Sequence, residues 1–290
     1  MRIASLVPSA TEYLFALGLG DQVVAVTHEC GFPPGALELP ELTLAVRGET
    51  GVGGSLYELD EQLLRDEEPD LIVAQQLCDV CAISFDDVLT VAERLPSRPK
   101  VISLDPTTLG EVLGDIRTIA AATGAEQAGA ELQRELADRI DDVKIALGAV
   151  GRDDHPPRVN VTALESLDPL TVGGHWVPQM IELAGGVDFL GLPGEPSREV
   201  SWDELGAAEP EVVVLMQCGH DTARSAEEAL AYAGQLRALG ARRYLVCDAT
   251  AYFLRPGPRL VDGLELLAHA LHPELVSEPV AGRMLDVDLG

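Results

Sequence analysis

Two cysteines stand three residues apart in Cys78-Asp-Val-Cys81, and this pair is the sharpest chemical motif of the sequence. Thiolates at this spacing can bind one metal ion or form a redox pair. Free cysteine is also often simply buried, so the pair fits two thiols that line a loop as well. There is no second CxxC pair, so a closed zinc site would need ligands from other loops. The candidates for these further ligands are His28, Cys30, His175 and His220.

The same residues leave a third chemistry open, namely catalysis by an activated thiol. A cysteine nucleophile needs a base within reach, and His28 or His220 would be that base. The sequence contains no nucleotide-binding glycine signature and no GxSxG nucleophile elbow. Two alternatives to a protein that only binds a small ligand therefore remain. One is a metal site built on Cys78, Cys81, His28 and His220, and the other is a thiol-dependent enzyme.

The composition describes an acidic globular protein. The 290 residues include 20 basic and 48 acidic side chains, a formal net charge of −28, and 47% are hydrophobic against 23% charged. This charge argues against nucleic acid and against an anionic membrane surface as partners, because both attract Lys and Arg. No segment approaches the roughly 18 uncharged apolar residues that a membrane helix needs. We therefore expect no membrane span, and we expect a monomer.

Short apolar runs alternate with helical patterns, which predicts an α/β fold with parallel sheets and right-handed crossovers. Between residues 109 and 149 the chain lacks proline and its apolar residues recur at helical spacing, with Gly124 and Gly129 as candidates for a break or kink. A helix of this length would be about 60 Å long and would link two lobes. The predicted organisation is an N-terminal α/β lobe at 1–108, a linking backbone helix at 109–150 and a C-terminal α/β lobe at 151–290. Residues 275–290 fit either a tail or an edge strand.

Ligands of open α/β sheets bind beyond the carboxyl ends of the strands, so the residues that follow the predicted strands are the candidate site. Two such edges that face each other would make a cleft between the lobes. Aromatic rings there would stack on a flat ligand, and Arg255 would clamp an anionic group. The candidate ligand-binding residues are Pro8, Ser9, Thr11, His28, Cys30, Phe32, Gln75, Gln76, Cys78, Cys81, Glu165, His175, Trp176, Gln217, His220, Tyr252, Phe253 and Arg255.

Three segments resemble one known family. They are residues 3–30, which begin Ile-Ala-Ser-Leu-Val-Pro-Ser-Ala-Thr-Glu, the Gly-Gly-His-Trp-Val-Pro segment that runs to Gly186, and the Phe-Leu-Arg-Pro-Gly-Pro-Arg segment at 253–259. This combination is similar to the class III periplasmic binding proteins, the solute-binding proteins of vitamin B12 and iron–siderophore ABC importers, and most similar to the cobalamin-binding branch. The resemblance implies two α/β lobes joined by one long backbone helix, a ligand in the cleft, and no catalysis. The pair Cys78 and Cys81 departs from the general pattern of the family.

The function predicted from the sequence is therefore non-catalytic binding of a corrinoid or a related metal-chelate, with no other cofactor. Met1-Arg2 leads directly into the first strand, without the apolar region of a secretory signal. If Met1 is the native start, this predicts a cytoplasmic protein. If a leader was removed, a periplasmic or extracellular protein with an ABC permease as partner is expected instead. An odd number of cysteines, five, fits a reducing compartment.

Overall fold

The structure is a computed structural model that describes residues 1–45, 57–76, 84–148, 150–152, 156–280, 282 and 284–290. The chain divides into two compact units. Unit 1 comprises Met1–Pro106 and Val112–Arg134, and unit 2 comprises Thr107–Glu111 and Glu135–Gly290.

Unit 1 is built on a four-stranded parallel sheet. The elements up to residue 146 are β1 (Ile3–Ser5), α1 (Pro8–Ala16), β2 (Val23–Ala25), β3 (Thr43–Ala45), β4 (Tyr57–Leu59), α2 (Glu61–Glu67), β5 (Leu71–Ala74), α3 (Phe85–Arg94), β6 (Lys100–Ser103), α4 (Leu109–Thr123) and α5 (Glu126–Ala146). The sheet has the order β2-β1-β5-β6, and β3 and β4 form a separate antiparallel pair. All residues of β1 and β5 are buried, as expected of strands covered on both faces.

The segment predicted as one helix consists of two helices, which corrects the sequence analysis. Gly124 adopts the left-handed conformation with φ +71°, and the N–H of Ala125 donates to the carbonyl of Ala120 at 2.9 Å. This arrangement is a glycine-terminated helix end. The chain reverses after Gly124, so that α5 packs against α4. The contact is so close that a Cβ atom on Gly129 would lie 2.6 Å from the Cβ of Ala120. Among the helices of the described residues the longest is therefore α5, about 31 Å at the standard rise. The division between the units falls within α4 and within α5.

Unit 2 has a larger, mixed sheet. Its further elements are β7 (Val159–Leu167), β8 (Leu170–Val172), α6 (Val177–Leu183), β9 (Gly186–Val187), β10 (Arg198–Glu199), α7 (Trp202–Ala207), β11 (Val212–Leu215), α8 (Thr222–Ala231), α9 (Ala233–Ala238), β12 (Arg243–Val246), α10 (Ala249–Tyr252), α11 (Leu260–Leu271) and β13 (Leu285–Asp286). The strand order is β10-β8-β7-β11-β12-β13, and β9 pairs with the start of β7. Strands β9, β7, β11 and β12 are parallel, whereas β8, β10 and β13 add antiparallel pairs at the edges.

The register of the three central strands brings their carboxyl ends together. Leu215 of β11 pairs with Leu164 of β7 on one side and with Val246 of β12 on the other. The residues that follow these positions therefore start from one edge of the sheet. Beneath them, side chains of both sheet and helices, including Leu164, Leu205 and Leu236, form a buried apolar cluster.

The last residues of the chain form an edge strand, one of the two alternatives that the sequence left open. β13 pairs antiparallel with β12, the N–H of Val287 donates to the carbonyl of Tyr244 at 2.8 Å, and Leu289 is buried in the apolar cluster. The α/β fold with central parallel strands, as predicted, is confirmed. Within the described residues, none of the helices combines the length and the apolar character needed to cross a membrane.

Candidate functional site

In unit 1, the first βα turn is held by a buried network of hydroxyl groups around a thiol. Thr11 Oγ1 lies 2.8 Å from Ser5 Oγ and 3.1 Å from Cys30 Sγ, and Thr27 Oγ1 lies 3.2 Å from the same sulfur. All four side chains are buried. The network joins the start of α1 to the loop after β2. The predicted ligand-binding residues Thr11 and Cys30 therefore support this loop and do not present their side chains at the surface.

Other predicted residues of unit 1 are accessible. His28 is exposed, and its ring Nδ1 lies 2.6 Å from Thr43 Oγ1, which fixes the orientation of the imidazole. Phe32 is 41% exposed. Gln76 is exposed, and its backbone N–H donates to the Asp105 carboxylate, which joins the loops that follow β5 and β6. Pro8 and Gln75 are partly buried, and Ser9 is buried in the first turn of α1. Cys78 and Cys81 lie outside the described residues.

In unit 2, the loop between β8 and α6 is built around closely packed glycines. A Cβ on Gly174 would lie within 2.5 Å of backbone atoms of Glu195, Pro196 and Ser197, so only glycine fits there. The next residue is fixed by its backbone, because the His175 N–H donates to the Glu195 carbonyl at 2.6 Å and the His175 carbonyl accepts from the Gly194 N–H at 2.9 Å. The loop from 173 to 176 is thereby held rigidly against segment 191–197.

His175 is half-buried and stands in the left-handed region with φ +50°. Its ring centroid lies 5.6 Å from that of Trp176, with the rings inclined by 31°. Burial lowers the pKa of His175 below its ordinary value, because desolvation disfavours the imidazolium. The ring is therefore neutral at neutral pH, the state in which imidazole binds metals.

Glu165 holds the loop between β8 and α6 through hydrogen bonds of its carboxylate. It follows Leu164 near the end of β7, and its carboxylate accepts hydrogen bonds from the Ser197 side chain and the Gly174 backbone N–H. Burial raises the pKa of Glu165, and the two hydrogen bonds oppose that rise only in part. The carboxyl group thus connects the sheet to both segments that hold His175.

Trp176 and Phe253 are core residues. Trp176 is 7% exposed and Phe253 is fully buried, and the indole Nε1 of Trp176 donates to the Phe253 carbonyl at 2.7 Å. This burial contradicts the prediction that Phe253 stacks on a ligand, because its ring has no accessible face. The two residues instead connect the loop after β8 to the segment after α10. Tyr252, the last residue of α10, and Arg255 in that segment are partly exposed.

The loop after β11 carries the remaining predicted residues. The Gln217 side chain is 2% exposed, and neither of its amide atoms has a hydrogen-bond partner in the described part of the chain. His220 Nδ1 lies 3.0 Å from Glu228 Oε2, at ion-pair distance but without hydrogen-bond geometry. The described residues contain no group of three or more His, Cys, Asp or Glu side chains that could hold a metal ion. Of the predicted metal ligands, His28 belongs to unit 1 and His220 to unit 2. Metal binding by Cys78 and Cys81 stays a prediction.

Residues 188–197, which include the segment 191–197 that holds the loop, were not predicted from the sequence as part of the site. Asp188 Oδ1 accepts from the backbone N–H groups of Leu190 and Gly191, which shapes the turn. The available signal was the Gly191-Leu-Pro-Gly194 sequence, which is typical of a specific turn. The sequence does not indicate that Gly174 packs against the backbone of this segment.

The family was identified by comparison with known proteins. A model of the periplasmic binding protein family matches residues 3–234 of this chain. The chain belongs to the periplasmic binding protein family. This confirms the resemblance seen in the sequence, and it confirms the prediction of a binding protein rather than an enzyme. It gives no support to the thiol-enzyme and metal-cluster alternatives.

Individual members of this family are distant in sequence. The vitamin B12-binding protein of Vibrio cholerae is 24% identical over 277 residues, which span 91% of this chain and 86% of that protein. A substrate-binding lipoprotein of an uncharacterised ABC transporter from Bacillus subtilis is 22% identical over 285 residues, with 96% and 82% coverage.

Solved structures share the fold across nearly the whole chain. The periplasmic vitamin B12-binding protein of Vibrio cholerae superposes with a TM-score of 0.69 at 21% identity, covering 94% of this chain and 96% of that one. A periplasmic heme-binding protein from Pseudomonas aeruginosa superposes with a TM-score of 0.72 at 20% identity, covering 99% and 98%. At these identities the likeness establishes the two-lobed α/β fold of a periplasmic binding protein.

Proposed function

We propose that this chain binds a corrinoid, or a related metal-chelate of the tetrapyrrole class, and releases it unchanged. The observation that supports this most is the match over nine-tenths of the chain to a protein named for vitamin B12 binding. The heme-binding structural relative supports the broader class, a flat macrocycle that encloses a metal. The described residues that we propose as ligand contacts are the accessible ones, His28, Phe32, His175, Tyr252 and Arg255.

The site chemistry of unit 2 agrees with a large, mostly apolar cargo that carries a few polar groups. His175 presents a neutral imidazole beside an indole, and the partly exposed Arg255 offers a guanidinium for an amide, phosphate or carboxylate of the cargo. We further propose that an ABC permease receives the cargo, in keeping with the transporter named for the Bacillus subtilis relative. The names of both relatives, periplasmic and lipoprotein, favour the extracytoplasmic alternative for the site of action.

Equilibrium dialysis tests the proposal directly. The purified chain is dialysed against cyanocobalamin, diaquocobinamide and hemin, and the bound fraction is read from the visible absorbance of each chelate. We expect at least one to bind with a dissociation constant of about 1 μM or below, which corresponds to about 8 kcal/mol. Recovery of the unchanged chelate after denaturation would agree with binding without catalysis. Absence of binding by all three at concentrations well above this value would contradict the proposal.

A further inference from the structure

The backbone of His175 is unusual for its position. Residues other than glycine rarely adopt positive φ, and the other three in the described chain, Glu68, Arg98 and Glu209, lie in turns that follow helices. His175 instead precedes helix α6, in a loop fixed by its two backbone hydrogen bonds to segment 191–197. A conformation of this kind costs free energy and persists where the surroundings impose it, which is frequent at binding sites.

The backbone of His175 is fixed, whereas its imidazole nitrogens have no partner among the residues that the structure describes. Within the described residues the ring contacts Trp176, and no hydrogen bond joins either ring nitrogen to another residue. Trp176 itself is anchored by its bond to the Phe253 carbonyl. The loop therefore presents an imidazole on a fixed backbone, at a place where the side chain is partly exposed and no described residue bonds its nitrogens.

A single imidazole is too little for a bare metal ion, which needs several protein ligands, and the described residues offer no cluster of them. It is sufficient for a metal that already has its equatorial donors in a macrocycle and lacks one axial ligand. We propose that His175 donates a ring nitrogen to the metal of a tetrapyrrole cargo, so that the preferred cargo has one exchangeable axial position. The nitrogen lone pair replaces a metal-bound water, which leaves, and the oxidation state of the metal is unchanged. This inference rests on the proposed function and narrows its ligand class.

Two forms of one corrinoid separate this inference from the proposed function. Diaquocobinamide has exchangeable waters at both axial positions, whereas dicyanocobinamide in excess cyanide has both blocked. The variant His175→Asn removes the imidazole but retains a residue type that tolerates positive φ. We expect the wild type to shift the visible absorption of diaquocobinamide in the way that imidazole does. We also expect it to bind this form at least tenfold more tightly than the variant does, while dicyanocobinamide binds equally to both.

His269→Asn is the matched control, and it should keep the spectral shift, because His269 is not a proposed ligand contact and its Nδ1 already lies 2.8 Å from the Val276 carbonyl oxygen. If the asparagine variant at 175 folds poorly by circular dichroism, His175→Gly with added free imidazole replaces it, and imidazole should restore the shift. Binding of both cobinamides without a spectral change, or a shift that survives in both variants at 175, would overturn the axial role and leave the proposed function standing. Failure of cobinamides, cobalamin and hemin alike to bind would overturn both.

Discussion

The indole Nε1 of Trp176 donates a 2.7 Å hydrogen bond to the backbone carbonyl of Phe253, 77 residues further along the chain. Both residues are buried, so the bond is shielded from water. It fixes the loop between β8 and α6 to the segment after α10 within unit 2. The position of His175 therefore depends on a contact made by its neighbour.

Trp176→Phe should destabilise unit 2, because it leaves the buried Phe253 carbonyl without its donor. Trp202→Phe is the matched control, since Trp202 is partly exposed and stacks on Tyr232 at 6.4 Å. We expect the free energy of unfolding to fall by about 1–3 kcal/mol more for the first substitution than for the second. Urea denaturation followed by far-ultraviolet circular dichroism measures both. Equal losses would mean that the hydrogen bond contributes little.

Gly174→Ala should disrupt the loop, since the added Cβ would meet backbone atoms of Glu195, Pro196 and Ser197, which cannot turn aside as a side chain can. We expect a loss of about 2 kcal/mol or more in stability, and weaker binding of whichever chelate the wild type takes up. Gly234→Ala in α9 is the control, because nothing lies within 4 Å of its Cβ position. That change should be neutral or stabilise by about 0.5–1 kcal/mol. Similar melting temperatures for the two variants would contradict the described packing of Gly174.

Arg139 joins α5 to α11 through two carboxylates. Its Nε and Nη2 bond Glu265 at 2.8 and 2.7 Å, and Nη2 also reaches Asp262. These contacts raise the pKa of Arg139, and the carboxylates are about one-fifth to one-quarter exposed. Arg139→Met should therefore lower the free energy of unfolding by about 1–3 kcal/mol.

Lys144→Met, on the same helix, is the control for this prediction. Lys144 pairs with Asp141 at 2.9 Å, but both side chains are at least half exposed. The effect should stay within about 0.5 kcal/mol, as for most surface ion pairs. A larger loss at Lys144 than at Arg139 in denaturant titrations would show that burial is not what distinguishes the two pairs.

The pKa of Glu165, raised by burial, predicts a pH effect of definite sign. Because the folded state holds this proton more tightly than the unfolded state, Glu165 contributes most stability below its ordinary pKa of about 4.3 and loses that contribution as the pH rises. Glu165→Gln should remove this dependence, so the stability of the variant relative to wild type should increase between acid and neutral pH. Denaturant titrations of both proteins across this range measure the difference.

Asp286 provides a control of opposite sign. Arg243 bonds its two carboxylate oxygens at 2.8 and 2.9 Å, which lowers the pKa of Asp286. The contribution of Asp286 to the stability of the folded state is present at neutral pH and is lost as the pH falls through its lowered pKa. Asp286→Asn should therefore lose stability relative to wild type as the pH rises, opposite to Glu165→Gln. Parallel pH profiles for both variants would contradict the assigned environments.

The sequence was sufficient for the class of fold, because strands such as Leu71–Ala74 and Val212–Leu215 are short apolar runs rich in Val and Ile, which is typical of covered parallel strands. It was not sufficient for the end of α4. Gly124 was visible as a candidate break. A glycine in a helical pattern, however, fits both a left-handed helix end and the interior of a continuous helix, and the sequence does not distinguish the two. The distinction depends on the contact between Gly129 and Ala120, which is tertiary.

In the candidate site, too, the sequence predicted some features, whereas others depend on tertiary contacts. Position after a strand made His175 and Glu165 candidates, since that rule follows from sheet geometry, and their role in ligand binding stays a prediction. It could not separate accessible aromatic residues from buried ones, so Phe253 was predicted as a ligand contact although it lies in the core. It also could not reveal that Ser197 and Glu195 hold the loop, because those contacts join residues twenty or more positions apart.

The chain has two tryptophans, Trp176 and Trp202, and both belong to unit 2. Indole emission during denaturation therefore reports the melting of that unit alone, whereas circular dichroism sums helices from both. If the two units melt at different denaturant concentrations, the two optical signals will give separate midpoints. A single tryptophan introduced into unit 1 would then be needed to follow the other half of the molecule.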